Sequence, residues 1–274
     1  MCITSGPAKL STTKILSGKI DDTYHLLAYS NTVENISGKP NSMILAIPGK
    51  VTEEDFYDTT AYAKFLEVIE EAQRKRFKGM SLSRGFDTLS MDAEVVNFQV
   101  GMYNIFVSDS ASNIGKAISA LSPEKRPEIN PEILSFLENH YAGWSFVIAC
   151  FDGDKKMEAQ PIMLKFKPID PNTLYFPALD AHDGGAPNLD EKVWVDHFLI
   201  TMGEKGNDVN FSELSIPEVF AGKKFFGMSY SGKHQNGDWY AAIDDELNFH
   251  GFNLNRSSIP LIKKPETHED HTTA

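Results

Sequence analysis

Residues 174–200, LYFPALDAHDGGAPNLDEKVWVDHFLI, join two strand-like apolar runs through a turn rich in Gly, Pro and Asn. In extended backbone, side chains alternate between faces. Residues 174–181 therefore place Leu174, Phe176, Ala178, Asp180 and His182 on one side. In residues 193–200 the two faces are Val193, Val195, His197, Leu199 and Trp194, Asp196, Phe198, Ile200. Both are apolar, which predicts a strand buried on both sides and turns Asp196 and His197 in opposite directions. The turn is where ionisable groups collect: Asp180, His182 and Asp183, with Asp196 and His197 following. A charge in apolar surroundings needs a partner or a purpose.

Working outward, the N-terminal part reads as β structure. Residues 13–20, 24–31 and 42–47 are short apolar or alternating runs, separated by Asp21-Asp22 and by Ser37-Gly38-Lys39-Pro40, a pattern that predicts an antiparallel meander. Residues 59–77 carry Ala61, Phe65, Val68, Ile69 and Ala72 at helical spacing, with Asp58 as N-cap and Gly79 as stop. A loop is expected over 78–90 and a strand over 95–107 with a bulge at Gly101. Helices follow over 112–121 and over 131–141, the second opened by Asn130-Pro131. Residues 144–151 and 159–167 flank Asp152-Gly153-Asp154-Lys155, which predicts a hairpin. Further strands are expected over 224–230 and 238–243, joined by a turn over 231–237. The class is α+β, with largely antiparallel sheet and a few helices. Residues 1–262 are expected to form one globular domain, followed by a polar, disordered tail over 263–274.

Composition narrows function by exclusion. The chain has 274 residues, 41% of them hydrophobic, enough for a core without disulfide or metal support. A net charge of −12 argues against nucleic-acid binding, which needs basic surface. The basic group Arg74-Lys75-Arg76 follows Glu67, Glu70 and Glu71 and suits a helix dipole instead. No run approaches the ~18 apolar residues of a membrane span, and no secretory leader is evident, so a cytoplasmic location is expected. A small molecule or another protein remains as partner. The two cysteines, Cys2 and Cys150, are too few for a disulfide framework, and Cys150 lies in an apolar run where a thiol is an inert small hydrophobe.

Three roles compete for the His–Asp block. One is a divalent metal site of His182, His197 and a carboxylate, although no HExxH or CxxC spacing supports it. The second is an acid–base pair of His182 oriented by Asp180 or Asp183. In the third, the carboxylates cap the turn and the histidines are satisfied in the core. The sequence leaves any cofactor, and whether a metal is bound, unknown. Removal of Met1 would leave Cys2 with thiol and α-amino group together, a self-activating nucleophile. Amide hydrolysis by Cys2, with the α-amino group or His182 as base and Asp180 or Asp183 as orienter, is one functional expectation. A non-enzymatic binding or interaction protein is the other.

The Met1-Cys2 opening followed by Gly18-Lys19-Ile20-Asp21 faintly resembles the choloylglycine-hydrolase branch of N-terminal-nucleophile hydrolases, over about the first twenty residues. There Gly-Arg precedes Asp, and Lys19 does not reproduce the bidentate fork of arginine. More broadly, the chain resembles a family of short bacterial proteins. These share the Met-Cys opening, strands like residues 13–18 and 43–48, a Val-Gly-x-Tyr segment like residues 100–103, and the Leu-Tyr-Phe-Pro…His-Asp-Gly…Asp-His block. That resemblance implies a common fold and brings no activity.

Overall fold

A computed structural model describes residues 3–78, 99–101, 103–151, 157–211 and 214–243. In chain order the strands are β1 (Ile3–Thr4), β2 (Ala8–Lys19), β3 (His25–Asn35), β4 (Asn41–Ile47), β5 (Gly49–Lys50), β6 (Gln99–Val100), β7 (Tyr103–Ser108), β8 (Ser145–Phe151), β9 (Met157–Glu158), β10 (Ile162–Pro168), β11 (Thr173–Phe176), β12 (Lys192–Gly203), β13 (Lys224–Gln235) and β14 (Trp239–Ala242). The α-helices among the described residues are α1 (Phe65–Lys78), α2 (Ile114–Ala117) and α3 (Pro131–His140). The class is α+β, as the patterning predicts.

Five strands form one sheet in the order β1-β4-β8-β7-β6. A larger sheet runs β13-β12-β2-β3-β10-β5, with β9 also on β3, and β11 and β14 pair separately. All pairs are antiparallel except β12 with β2, where His197 lies beside Thr13 and Met202 beside Gly18. Gly18 is required by that close approach: a Cβ there would stand 2.5 Å from Met202 Cβ.

Alternation builds the layers. Ile15, Leu27, Tyr29, Leu164, Phe166, Val195 and Leu199 of the larger sheet meet Met43, Leu45, Ile47, Val147, Ala149 and Ile105 of the smaller one. Leu174, Phe176, Ala178 and Trp239 belong to the same core. Each sheet buries its outer face under helices. Ile44, Phe146 and Ile148 pack with Ile114, Ile133 and Leu137, while Leu16, Ala28, Phe198 and Ile200 pack with Phe65, Leu66 and Ile69. Helices outside two stacked sheets take much of each outer apolar face out of water. Lys14, 8% exposed, lies under α1 with Nζ 3.6 Å from Glu67 and 3.9 Å from Glu70, so paired charge helps seat that helix.

Several expectations need correction. The first three strands are not a meander: β2 and β3 pair, but β4 crosses to the other sheet and pairs with β8 and β1. The runs either side of residues 152–155 do not form a hairpin with each other, because β8 pairs with β4 and β7 while β10 pairs with β3 and β5. Alternation assigns a side chain to a face, and every sheet has two faces. It cannot say which sheet a strand joins. Gly101 is a reversal and not a bulge: its φ is +56°, and Val100 pairs with Tyr103. The expected long helix splits: a 3-10 turn over Thr60–Tyr62 precedes α1, its N-cap is Thr59 and not Asp58, and Asp58 accepts from the Thr60 N–H at 2.9 Å. The start of α3 agrees with the sequence, Asn130 accepting from the Glu132 N–H at 2.9 Å. Gly79, most of the expected loop over 78–90, and the tail over 263–274 lie outside the described residues.

Candidate functional site

The chain leaves β11 at Phe176 and passes through Pro177, which has no N–H to give a ladder. Beyond it the backbone is held by side chains of the short turn between β13 and β14. Asp238 Oδ1 accepts from the N–H groups of Ala178 and Leu179 at 2.8 and 2.9 Å. Asn236 treats Asp180 as a neighbouring strand would. Its Oδ1 accepts from the Asp180 N–H at 2.8 Å, and its Nδ2 donates to the Asp180 carbonyl at 2.8 Å and to that of Asn188 at 3.1 Å. Both side chains are buried, at 5% and 6% exposure, so these bonds are made away from competing water. Tyr141 donates to the other Asp238 oxygen at 2.5 Å.

The N-terminal strand secures the other side. Thr4 N–H donates to the Ala181 carbonyl at 2.8 Å and Ala8 N–H to the His182 carbonyl at 2.9 Å. Ile3 bridges Ala181 in parallel, and Pro7 bridges Asp183 in antiparallel sense. Within this frame Asp180 Oδ1 stands 3.2 Å from His182 Nε2, in contact but without the alignment of a hydrogen bond. Burial lifts the Asp180 carboxyl to about 6, helped by the like charges of Glu191 and Asp183. Burial also pushes the His182 imidazole down to about 3. Around pH 5 both groups are therefore neutral. Above pH 6 the pair is a carboxylate beside a neutral imidazole, with Asp180 and not His182 as the group suited to exchanging a proton near neutrality.

The remaining expected site residues lie elsewhere or do other work. Asp183 is exposed and caps its own turn, accepting from the Gly185 N–H at 2.8 Å. His197 is 2% exposed, on the inner face of β12, with its ring 5.5 Å from that of Trp239. Among the described residues no three His, Cys, Asp or Glu side chains are grouped to hold a metal, so the arrangement of His182, His197 and a carboxylate is not assembled there. Cys2 lies outside the described residues. Cys150 is buried and its thiol is pushed up to about 12 by that burial, which suits an inert side chain. In the stretch after the Met-Cys opening, Asp21 accepts from the Thr23 and Tyr24 N–H groups and Lys19 pairs with Asp22 at 2.8 Å, so these residues shape a turn.

Two residues that matter here were not singled out from the sequence, Asn236 and Asp238. The signal was available: a carboxylate directly before the apolar run Trp239-Tyr240-Ala241-Ala242 enters the core and must find donors. Trp194 also departs from expectation. The face it shares with Phe198 and Ile200 is covered by α1 only in part. Arg74 of that helix lies over the Phe198 ring at 5.2 Å, while Asp196 and Trp194 beyond it stand in solvent, Trp194 at 66% exposure.

No protein-family model matches this chain, and no curated protein matches it. Its shape is similar to solved structures of baculovirus P35. One has a TM-score of 0.48 at 12% identity, with 88% of this chain and 91% of that chain covered. A mutated baculovirus P35 after caspase cleavage gives 0.42 at 11% identity, covering 85% and 90%. P35 in a caspase-8 complex gives 0.43 at 13%, covering 85% and 88%. With scores below 0.5, this likeness carries no argument about the present chain. No helix among the described residues is long and apolar enough to cross a membrane.

The Asp180 shift sets a pH dependence. The folded carboxyl binds its proton more tightly than the unfolded one, about 6 against 3.8, so stability is lost as pH rises between those values and the cost is complete above 6. His182 has the opposite sign: its contribution is whole above 6.5 and lost as pH falls toward 3. Asp180→Asn should therefore stabilise the chain above pH 6, on the order of 2 kcal/mol. In urea unfolding from pH 4 to 8, that gain should grow with pH and vanish near pH 4.

Proposed function

We propose that this chain is a non-enzymatic interaction protein that receives an extended segment of a partner polypeptide along the β13 edge of the larger sheet. The observation that carries this reading is Trp194, 66% exposed on β12 and directly across from Lys233 of β13. Tryptophan concentrates binding energy at interfaces, where it buries a large rigid surface. The neighbouring edge offers main-chain pairing. Phe225 turns its N–H and C=O outward to Asn207, at 2.9 and 2.8 Å. By antiparallel alternation, the backbone groups of Gly227, Ser229 and Ser231 point the same way. Exposed Ser229 and Ser231 leave room for an added strand, whose main chain would supply affinity and whose alternate side chains would reach toward Trp194, two strand spacings or about 10 Å away.

The test is selection of linear peptides from a random library on the full chain, followed by binding to two variants. Trp194→Ala removes the aromatic anchor. Ser229→Pro deletes one outward N–H without touching the β12 ladder. Selected peptides should lose at least about tenfold in affinity on each variant, equivalent to about 1.4 kcal/mol. Affinity unchanged on both, with both variants folded, contradicts the reading.

A second reading keeps the hydrolase, with Cys2 attacking an amide carbonyl. What favours it is that Ile3, which follows Cys2, pairs with Ala181, between Asp180 and His182. It requires Met1 to be removed and Cys2 to alkylate faster than Cys150 at neutral pH. Intact mass and a timed alkylation measure both, and a retained Met1 ends this reading.

A further inference from the structure

The turn between β13 and β14 carries the only Asn-Gly pair of the chain, Asn236-Gly237. An asparagine followed by glycine is chemically vulnerable, because glycine has no Cβ to keep its backbone nitrogen away from the side-chain amide. The Gly237 nitrogen loses its proton and attacks Asn236 Cγ, the Cγ–Nδ2 bond breaks, and ammonia leaves a cyclic imide. Water then opens one or other imide bond. The product is aspartate, or an isoaspartate whose main chain runs through the former side chain.

The fold opposes each step. Asn236 Oδ1 is held by the Asp180 N–H at 2.8 Å, and Nδ2, the nitrogen that must depart, is held by the carbonyls of Asp180 and Asn188 at 2.8 and 3.1 Å. The Asn236 N–H is tied to the Glu191 carbonyl at 2.9 Å, which fixes the backbone from which the amide would swing. At 5% exposure the residue is also kept from the water that completes the reaction. Conversion would undo this arrangement. The Asp180 and Asn188 carbonyls would lose both donors and face a carboxylate oxygen, which leaves buried acceptors unmet. Isoaspartate would add a carbon to the main chain and shift Asp238 from the Ala178 and Leu179 N–H groups that it holds.

We infer that Asn236 is a conformationally gated deamidation site. It is inert while its bonds to residues 180 and 188 are closed. Once they open, Gly237 and water convert it, and the same bonds cannot re-form.

Timed peptide mapping by mass spectrometry, resolving asparagine, aspartate and isoaspartate at position 236, tests this in the full chain at mildly alkaline pH. Asn236 should convert readily in the chain unfolded in urea, and at least about tenfold more slowly in the folded chain, where conversion waits for local opening. The converted chain, separated by its added negative charge, should exchange the Asp180 amide at least about tenfold faster than the starting chain. Equal rates of conversion in the folded and unfolded chain overturn the inference. So does an unfolded chain in which Asn236 persists, or a converted chain whose Asp180 amide exchanges as before.

Discussion

Side chains that take the place of a missing strand hold this structure's most irregular segment. After Pro177 the chain has lost its ladder, yet residues 178–182 run through the protein beside buried apolar groups. Asn236 and Asp238 answer with one carboxylate and one amide, and the N-terminal strand supplies the opposite edge. A buried backbone must have its donors and acceptors met. Here the requirement explains why a polar turn is drawn inside, why Tyr141 at the end of α3 leans on Asp238, and why β1 and β2 start where they do. The contacts between β11, β14 and the N-terminus all presuppose it.

The same constraint redefines the His–Asp block. Its proximity to Gly184-Gly185 gives it the look of a catalytic loop, but its backbone is held at Asp180 by Asn236 and at Ala181 and His182 by the N-terminal strand, and Asp183 serves its own turn. What remains chemically distinctive is the close pair Asp180 and His182, made reluctant to ionise by burial. A histidine that stays neutral far below its usual range is a poor general base. That weakens a role built on His182, while near the β13 edge of the larger sheet Trp194 stands in water at 66% exposure.

Much of the fold was legible because burial enforces a period. Leu174, Phe176 and Ala178 do share one face, in the inter-sheet core, while Tyr175, Leu179 and Ala181 share the other. Asp196 and His197 do point apart, one exposed and one buried. The boundaries of β4 and α3 also followed from local chemistry. What the period could not reveal was partnership. β4, β9 and β14 each leave the strand before them for another sheet, and two-residue alternation is identical in either sheet. Asn236 was hidden for a related reason: in a stretch such as Ser231-Gly232-Lys233-His234-Gln235-Asn236-Gly237 polar residues read as solvent-facing, and only a distant backbone whose N–H and C=O groups need partners shows otherwise. Trp194 was misjudged because the length of α1's cover is a tertiary fact.

The most direct test is residue-resolved amide hydrogen exchange in the wild-type chain and Asp238→Ala, under conditions where both are folded. Losing the carboxylate should speed exchange at Ala178 and Leu179 by about tenfold or more, beyond any change at Val147 and Ile148 in the centre of β8. If Ala178 and Leu179 change no more than those β8 amides, the side-chain clamp does not hold the segment and the account fails.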